Sequence, residues 1–153
     1  KIRLKALEMQ RASLGDKNFL DSHLEELSAR QEALGKDHHS IAEILNTIGL
    51  FFHHKVNDQN RALEHHKEAL RVLRVCSQSR RVRENDQSDP QNISVETEIA
   101  VTLTDIGNVN FKQNNYDEAM GAYVEALDIF KLTENSSESH RVSAVLRGIN
   151  RMR

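Results

Sequence analysis

From Ile41 onward, apolar residues recur every three or four positions. Ile41, Ile44, Leu45, Ile48, Phe51 and Phe52 therefore share one stripe of a helix. Residues 57–60 interrupt the stripe with asparagine and aspartate, which tolerate left-handed backbone and cap helices, and Ala62, Ala69, Leu70, Val72 and Leu73 resume it. This pattern predicts a helix, a tight turn and a second helix. The same succession runs through residues 99–111, a turn at 113–115, and residues 116–130.

The two helix pairs are spaced alike. Leu45, Ile48, Gly49, Ala62, Ala69 and Leu70 recur as Leu103, Ile106, Gly107, Ala119, Ala126 and Leu127, with one extra residue in the first turn. Small and aliphatic residues repeat while no acid, base or nucleophile does, so the pattern is a packing code rather than a catalytic one. Small residues at Gly49 with Ala62, and at Gly107 with Ala119, predict that the helices of each pair touch backbone to backbone. A partial third copy carries Leu146 and Ile149 after His140, with Asn150 in the glycine place. In residues 1–35, Leu7, Leu14 and Gly15 echo Leu27, Leu34 and Gly35, which predicts two short helices, 2–14 and 17–34, as a degenerate pair. Residues 77–93 hold few apolar residues and the one proline, Pro90, and predict a flexible insert outside the core.

This spacing resembles the tetratricopeptide repeat, whose signature combines an aromatic, Leu-Gly, Tyr, then Ala, an aromatic and Ala. Gly49 and Gly107 match its glycine, Tyr123 matches the aromatic that plugs between repeats, and residues 111–119, Phe-Lys-Gln-Asn-Asn-Tyr-Asp-Glu-Ala, run close to the consensus. His66 stands in for the aromatic in the first pair, Asn110 for the first-helix tyrosine, and Leu45 and Leu103 for the tryptophan. The linker Leu34-Gly35-Lys36-Asp37-His38 is similar to that of the long repeats of the kinesin light chain type. The resemblance implies an all-α fold of antiparallel helix pairs stacked as a right-handed α-solenoid. It divides the chain into a degenerate pair (1–35), a repeat (36–76), the insert (77–93), a repeat (94–133) and the first helix of a truncated repeat (134–153).

Arrays of this family bind peptides in a concave groove lined by the first helix of each pair. By resemblance the groove residues are Glu43, Asn46, Leu50, His53 and His54, then Thr104, Asn108, Phe111 and Lys112, then Arg147 and Arg151. Asparagine both donates and accepts hydrogen bonds, which suits a peptide backbone of any sequence. The lysine with which some relatives clamp a terminal carboxylate is missing beside Asn46 and Asn108. Lys112, Arg147 and Arg151 make one end of the groove positive and favour acidic peptides. The implied function is a protein-interaction module that takes a peptide or helical segment of a partner. The rival readings are a purely structural segment of a longer scaffold and phosphate or nucleic-acid contact through Arg71, Arg74, Arg80, Arg81 and Arg83.

Composition narrows the field. The chain of 153 residues has one proline, six glycines and no tryptophan, with 38% hydrophobic and 29% charged residues, which fits a mostly helical protein with a real core. A formal charge of −2 gives no global basic field, and Glu84, Asp86 and Asp89 offset the arginine cluster, so nucleic acid is disfavoured. The single Cys76 rules out an intrachain disulfide and fits a cytoplasmic protein. No run of about 18 apolar residues predicts a membrane span. The chain starts without methionine and is read as a fragment of a longer protein.

The eight histidines include the adjacent pairs His38–His39, His53–His54 and His65–His66. Neighbours on a helix point about 100° apart, whereas metal ligands sharing a face stand three or four residues apart, so no metal site is expected. No glycine-rich phosphate loop or nucleophile motif is present, and no cofactor or enzymatic activity is expected.

Overall fold

The computed structural model describes residues 2–83, 90–133 and 140–152, and these are helical almost throughout. The helices are α1 (Ile2–Leu34), α2 (His39–Phe51), α3 (Gln59–Arg83), α4 (Pro90–Lys112), α5 (Tyr116–Thr133) and α6 (His140–Arg151); a π-helical turn, Phe52–Val56, closes α2. The fold is all-α. Helix α2 pairs with α3, and α4 pairs with α5, in a tetratricopeptide-like helical repeat, while α6 packs on α5 and α4.

The apolar stripes build the core as their spacing dictates. Ile41, Leu45, Leu70 and Leu73 from the first pair join Ile99, Leu103, Ile106, Tyr123 and Phe130 from the second in one continuous cluster, which Val142, Val145 and Ile149 of α6 extend. The turns follow the sequence closely: Asn57 (φ 60°) and Asn114 (φ 64°) both take the left-handed conformation that ends a helix. Ala62 and Ala119, each five residues further on, are fully buried.

The extra residue of the first turn is absorbed inside the helix. Asn57 stands eight positions after Gly49, whereas Asn114 stands seven after Gly107, and the backbone over Phe52–Val56 widens into a π turn that takes up the difference. The N–H of Asp58 reaches back to the Phe52 carbonyl at 2.9 Å as a result.

Three expectations need correction. Residues 2–34 form one helix rather than two. Gly15 has no neighbour within 4 Å of the position a Cβ would take, so nothing turns the chain there; a mid-helix glycine costs only about 1 kcal/mol relative to alanine and does not break a helix by itself. Gly35, in the left-handed region at φ 87°, is the residue that ends α1. Secondly, most of the insert is helix: α3 continues through Arg83 and α4 starts at Pro90, so only 84–89 of the expected loop lies outside the described residues. Ser77 is buried and donates to Glu96 Oε1 at 2.6 Å, which ties the extension of α3 to α4. Thirdly, Asn150 is exposed and does not take a glycine's place. Leu146, aligned with the buried Leu103, is also exposed, because no described helix covers in α6 the side that α5 covers in α4.

Helix α1 touches the rest through its second half. Leu20 and Leu27 pack on the core, and the Phe19 ring stacks on Phe51 with centroids 5.0 Å apart. Residues 3–15 are exposed along their whole length.

Candidate functional site

The first helices α2, α4 and α6 stand side by side, and side chains cross between them. Asn46 Nδ2 on α2 donates to Thr102 Oγ1 on α4 at 2.8 Å. The guanidinium of Arg151 on α6 lies over the Phe111 ring of α4, 4.9 Å from its centroid. These contacts make one wall from helices that are far apart in sequence.

At the α2 end, Asn46 is held from two sides. Its Oδ1 accepts from Nδ1 of His66, the buried residue in the aromatic place of the first pair, at 2.9 Å. A Cβ on Gly49 would stand 2.8 Å from that imidazole, so this glycine is needed to seat the ring of His66 rather than the backbone near Ala62. Burial pushes the His66 imidazole down to about 4, with the neighbouring histidines adding to the effect, so it is neutral at ordinary pH. Leu50 and Glu43 are exposed. His53 and His54 sit in the π turn with ring centroids 4.5 Å apart, and His53 Nδ1 pairs with Gln59 Oε1 at 2.5 Å. Burial lowers the pKa of His53, the bond to Gln59 opposes that, and the charges of His54 and Lys112 lower it further, which puts Lys112 of α4 within electrostatic reach of the π turn.

The α4 end is organised around Tyr123. Its hydroxyl donates to Asn108 Oδ1 at 2.5 Å, and its ring is clasped between two glycines. A Cβ on Gly107 would stand 2.6 Å from the ring, and one on Gly148 of the next helix would stand 2.8 Å from it. The close approach expected between Gly107 and Ala119 is thus made by the plug residue instead. Burial raises the Tyr123 pKa, Arg151 opposes the rise, and Asp105 adds to it, so Arg151 and Asp105 both flank the ring. Burial also pushes the Asp105 carboxyl up to about 7. Thr104 donates to the Ala100 carbonyl of its own helix, and Lys112 and Arg147 are exposed.

Apart from Thr104, which bonds within its own helix, the sequence-predicted residues fall into two groups. Asn46 and His53 at one end, and Asn108, Phe111 and Arg151 at the other, are drawn into cross-helix contacts. Glu43, Leu50, His54, Lys112 and Arg147 face solvent. Reading the pattern overlooked Asp105, whose half-buried place has no signature in spacing, and Gly148, which lies one helix away from the ring it seats.

Of the arginine cluster, the side chains of Arg80, Arg81 and Arg83 lie outside the described residues, and Arg71 and Arg74 are both paired. Arg71 pairs with Glu68 at 2.7 Å and Asp37 at 3.0 Å, and Arg74 pairs with Glu125 at 2.8 Å. Those side chains border a cleft of about 720 Å³ between α3 and α5, floored by Leu70, Leu103, Ile106 and Ala122. None of the described helices is long and apolar enough to cross a membrane.

No curated protein matches the chain. Residues 99–137, which include most of the second helix pair, match the family model described as tetratricopeptide repeat.

Proposed function

We propose that the protein is an interaction module that holds an acidic peptide or helical segment of a partner protein against the wall formed by α2, α4 and α6. The observation that carries this reading is Arg151 over Phe111, with Lys112 beside it and Arg147 one turn earlier on α6. An aromatic face covered by Arg151, with Lys112 and Arg147 exposed on the same two helices, offers an acidic segment both apolar contact and charge-assisted hydrogen bonds. Asn46 spends one acceptor and one donor position internally and Asn108 one acceptor, and each keeps further hydrogen-bonding capacity for a peptide backbone.

The long-repeat, kinesin light chain type is part of the proposal. Its linker is supported by Gly35, which ends α1 in the left-handed region, and by His38, whose side chain caps α2 by accepting from the Ser40 N–H. A non-catalytic role in the cytoplasm completes the reading.

Display of random peptides on the immobilised chain tests it. Acidic sequences are expected to be enriched, and Lys112→Glu and Arg147→Glu are each expected to weaken a selected peptide by about 1 to 3 kcal/mol, while Arg80→Glu leaves it bound. Selection of peptides that ignore the wall variants and depend on Arg80 would move the binding surface to the last turns of α3 and overturn the proposal.

A further inference from the structure

Among the described residues the cluster whose ligand atoms come together is not made by the histidine pairs themselves: His39 meets two carboxylates. It opens α2, Glu43 follows it by one turn on the same face, and Glu98 approaches from α4. One ligand atom from each residue falls within 4.8 Å of the others. His39 Nε2 lies 2.7 Å from Glu98 Oε2, across 59 residues of sequence. Both of these side chains are half-buried, so they are held in place before any ion arrives, while Glu43 is exposed and free to swing inward.

We propose that His39, Glu43 and Glu98 bind a divalent transition-metal ion of the zinc type, which ties the first helices of two successive pairs together. The donor set is one imidazole nitrogen and two carboxylates, which suits zinc at about 2.0 to 2.2 Å from each ligand. His39 Nε2 and Glu98 Oε2 stand closer than the roughly 3.3 Å between two tetrahedral ligands on one ion, so they need only part slightly to admit it. Glu43 has to close the remaining gap by a side-chain rotation, for which its exposure leaves room. The Nε2 hydrogen that faces Glu98 moves to Nδ1 when the ion takes its place, so the imidazole stays neutral and the two carboxylates balance the ion's charge.

Arg30 marks the competition that the ion faces. Its guanidinium lies 3.9 Å from Glu43 Oε2 and also donates to the Ser40 carbonyl at 3.1 Å. Swinging Glu43 toward the ion gives up only the longer of these contacts. Three protein ligands leave at least one coordination position open beside Glu43, a residue of the proposed peptide-binding wall, although the metal site stands or falls independently of that wall.

Titration of the metal-stripped full chain with Zn²⁺, followed by calorimetry and by thermal unfolding, tests the proposal, with Co²⁺ absorption reporting the ligand set. One ion per chain is expected to bind and raise the melting temperature. His39→Gln and Glu98→Gln should each weaken binding by more than about tenfold while circular dichroism shows the helices intact. His54→Gln should leave binding unchanged, and Arg30→Gln should leave it unchanged or tighten it. Absence of one-to-one binding in the wild-type chain overturns the site, as does binding that survives His39→Gln and Glu98→Gln together or that is lost in His54→Gln.

Discussion

His66 Nδ1 donates to Asn46 Oδ1 at 2.9 Å, while its Nε2, pressed against Gly49, has no hydrogen-bond partner among the described residues. An imidazole with one donor used and one buried lone pair is a neutral imidazole. The fold therefore selects against the imidazolium, with a pKa of about 4 against 6.5 in the unfolded chain. A depressed histidine pKa contributes stability that is fully present above the unfolded value and is lost as pH falls from 6.5 toward 4. The loss should approach about 3 kcal/mol. Urea unfolding of wild type and His66→Gln at pH 7.5 and 4.5 checks this: the wild type should weaken more in acid, and the variant should show a flatter profile. Equal acid sensitivity in the two would mean that His66 is not the group responsible.

Tyr123 between Gly107 and Gly148 gives a contrast that needs no pH change. Gly107→Ala drives a methyl group into the ring and is expected to cost about 1 to 3 kcal/mol. Gly121 lies on α5 with nothing within 4 Å, and Gly121→Ala should instead stabilise by about 0.5 to 1 kcal/mol, because alanine has fewer unfolded conformations to lose. Melting temperatures moving in opposite directions would confirm that the ring, rather than helix propensity, demands the glycine at Gly107.

Much of this architecture could be read from spacing, because helix stripes and capping residues are local. Asn57 and Asn114 announce their turns, and the stripe from Ile41 to Phe52 announces α2. What spacing missed depends on contacts between distant segments or on the absence of a strong breaker. Gly15 carries the same residue type as Gly35, yet only Gly35 adopts a left-handed backbone, and the sequence around Gly15 holds no second signal to separate the two cases. The candidate wall was legible as a set of positions. Its internal bonds were not: His66 to Asn46, Tyr123 to Asn108 and His39 to Glu98 each join residues 15 to 59 positions apart.

The π turn offers a test of how the first pair absorbs its extra residue. Deleting His54 puts the left-handed Asn57 seven positions after Gly49 instead of eight, the spacing of the second pair, and should convert the turn to ordinary α-helix. The variant is expected to melt at or above the wild-type temperature and keep its helical circular dichroism. A large drop would show that the wider turn is needed to seat Phe52, which is buried against the core beside it.

Asp105 reverses the usual behaviour of a carboxylate. Desolvation lifts it to about 7 from 3.8, and no cation on its own helix turn answers it, although Arg151 of α6 flanks the same Tyr123 ring. In the folded chain the carboxyl holds its proton between those two values, whereas the unfolded chain has already released it. Stability from this group is therefore present below about pH 4 and lost as pH rises toward 7, opposite in sign to the His66 contribution across the shared window. Replacing it with a neutral isostere removes the loss. Asp105→Asn should raise the melting temperature at pH 8 and change it little at pH 4, and the gain should grow steadily between those limits. A variant that instead melts lower at pH 8 would show that the ionised carboxylate is held by Arg151, and the charge on that part of the wall would then be paired rather than suppressed.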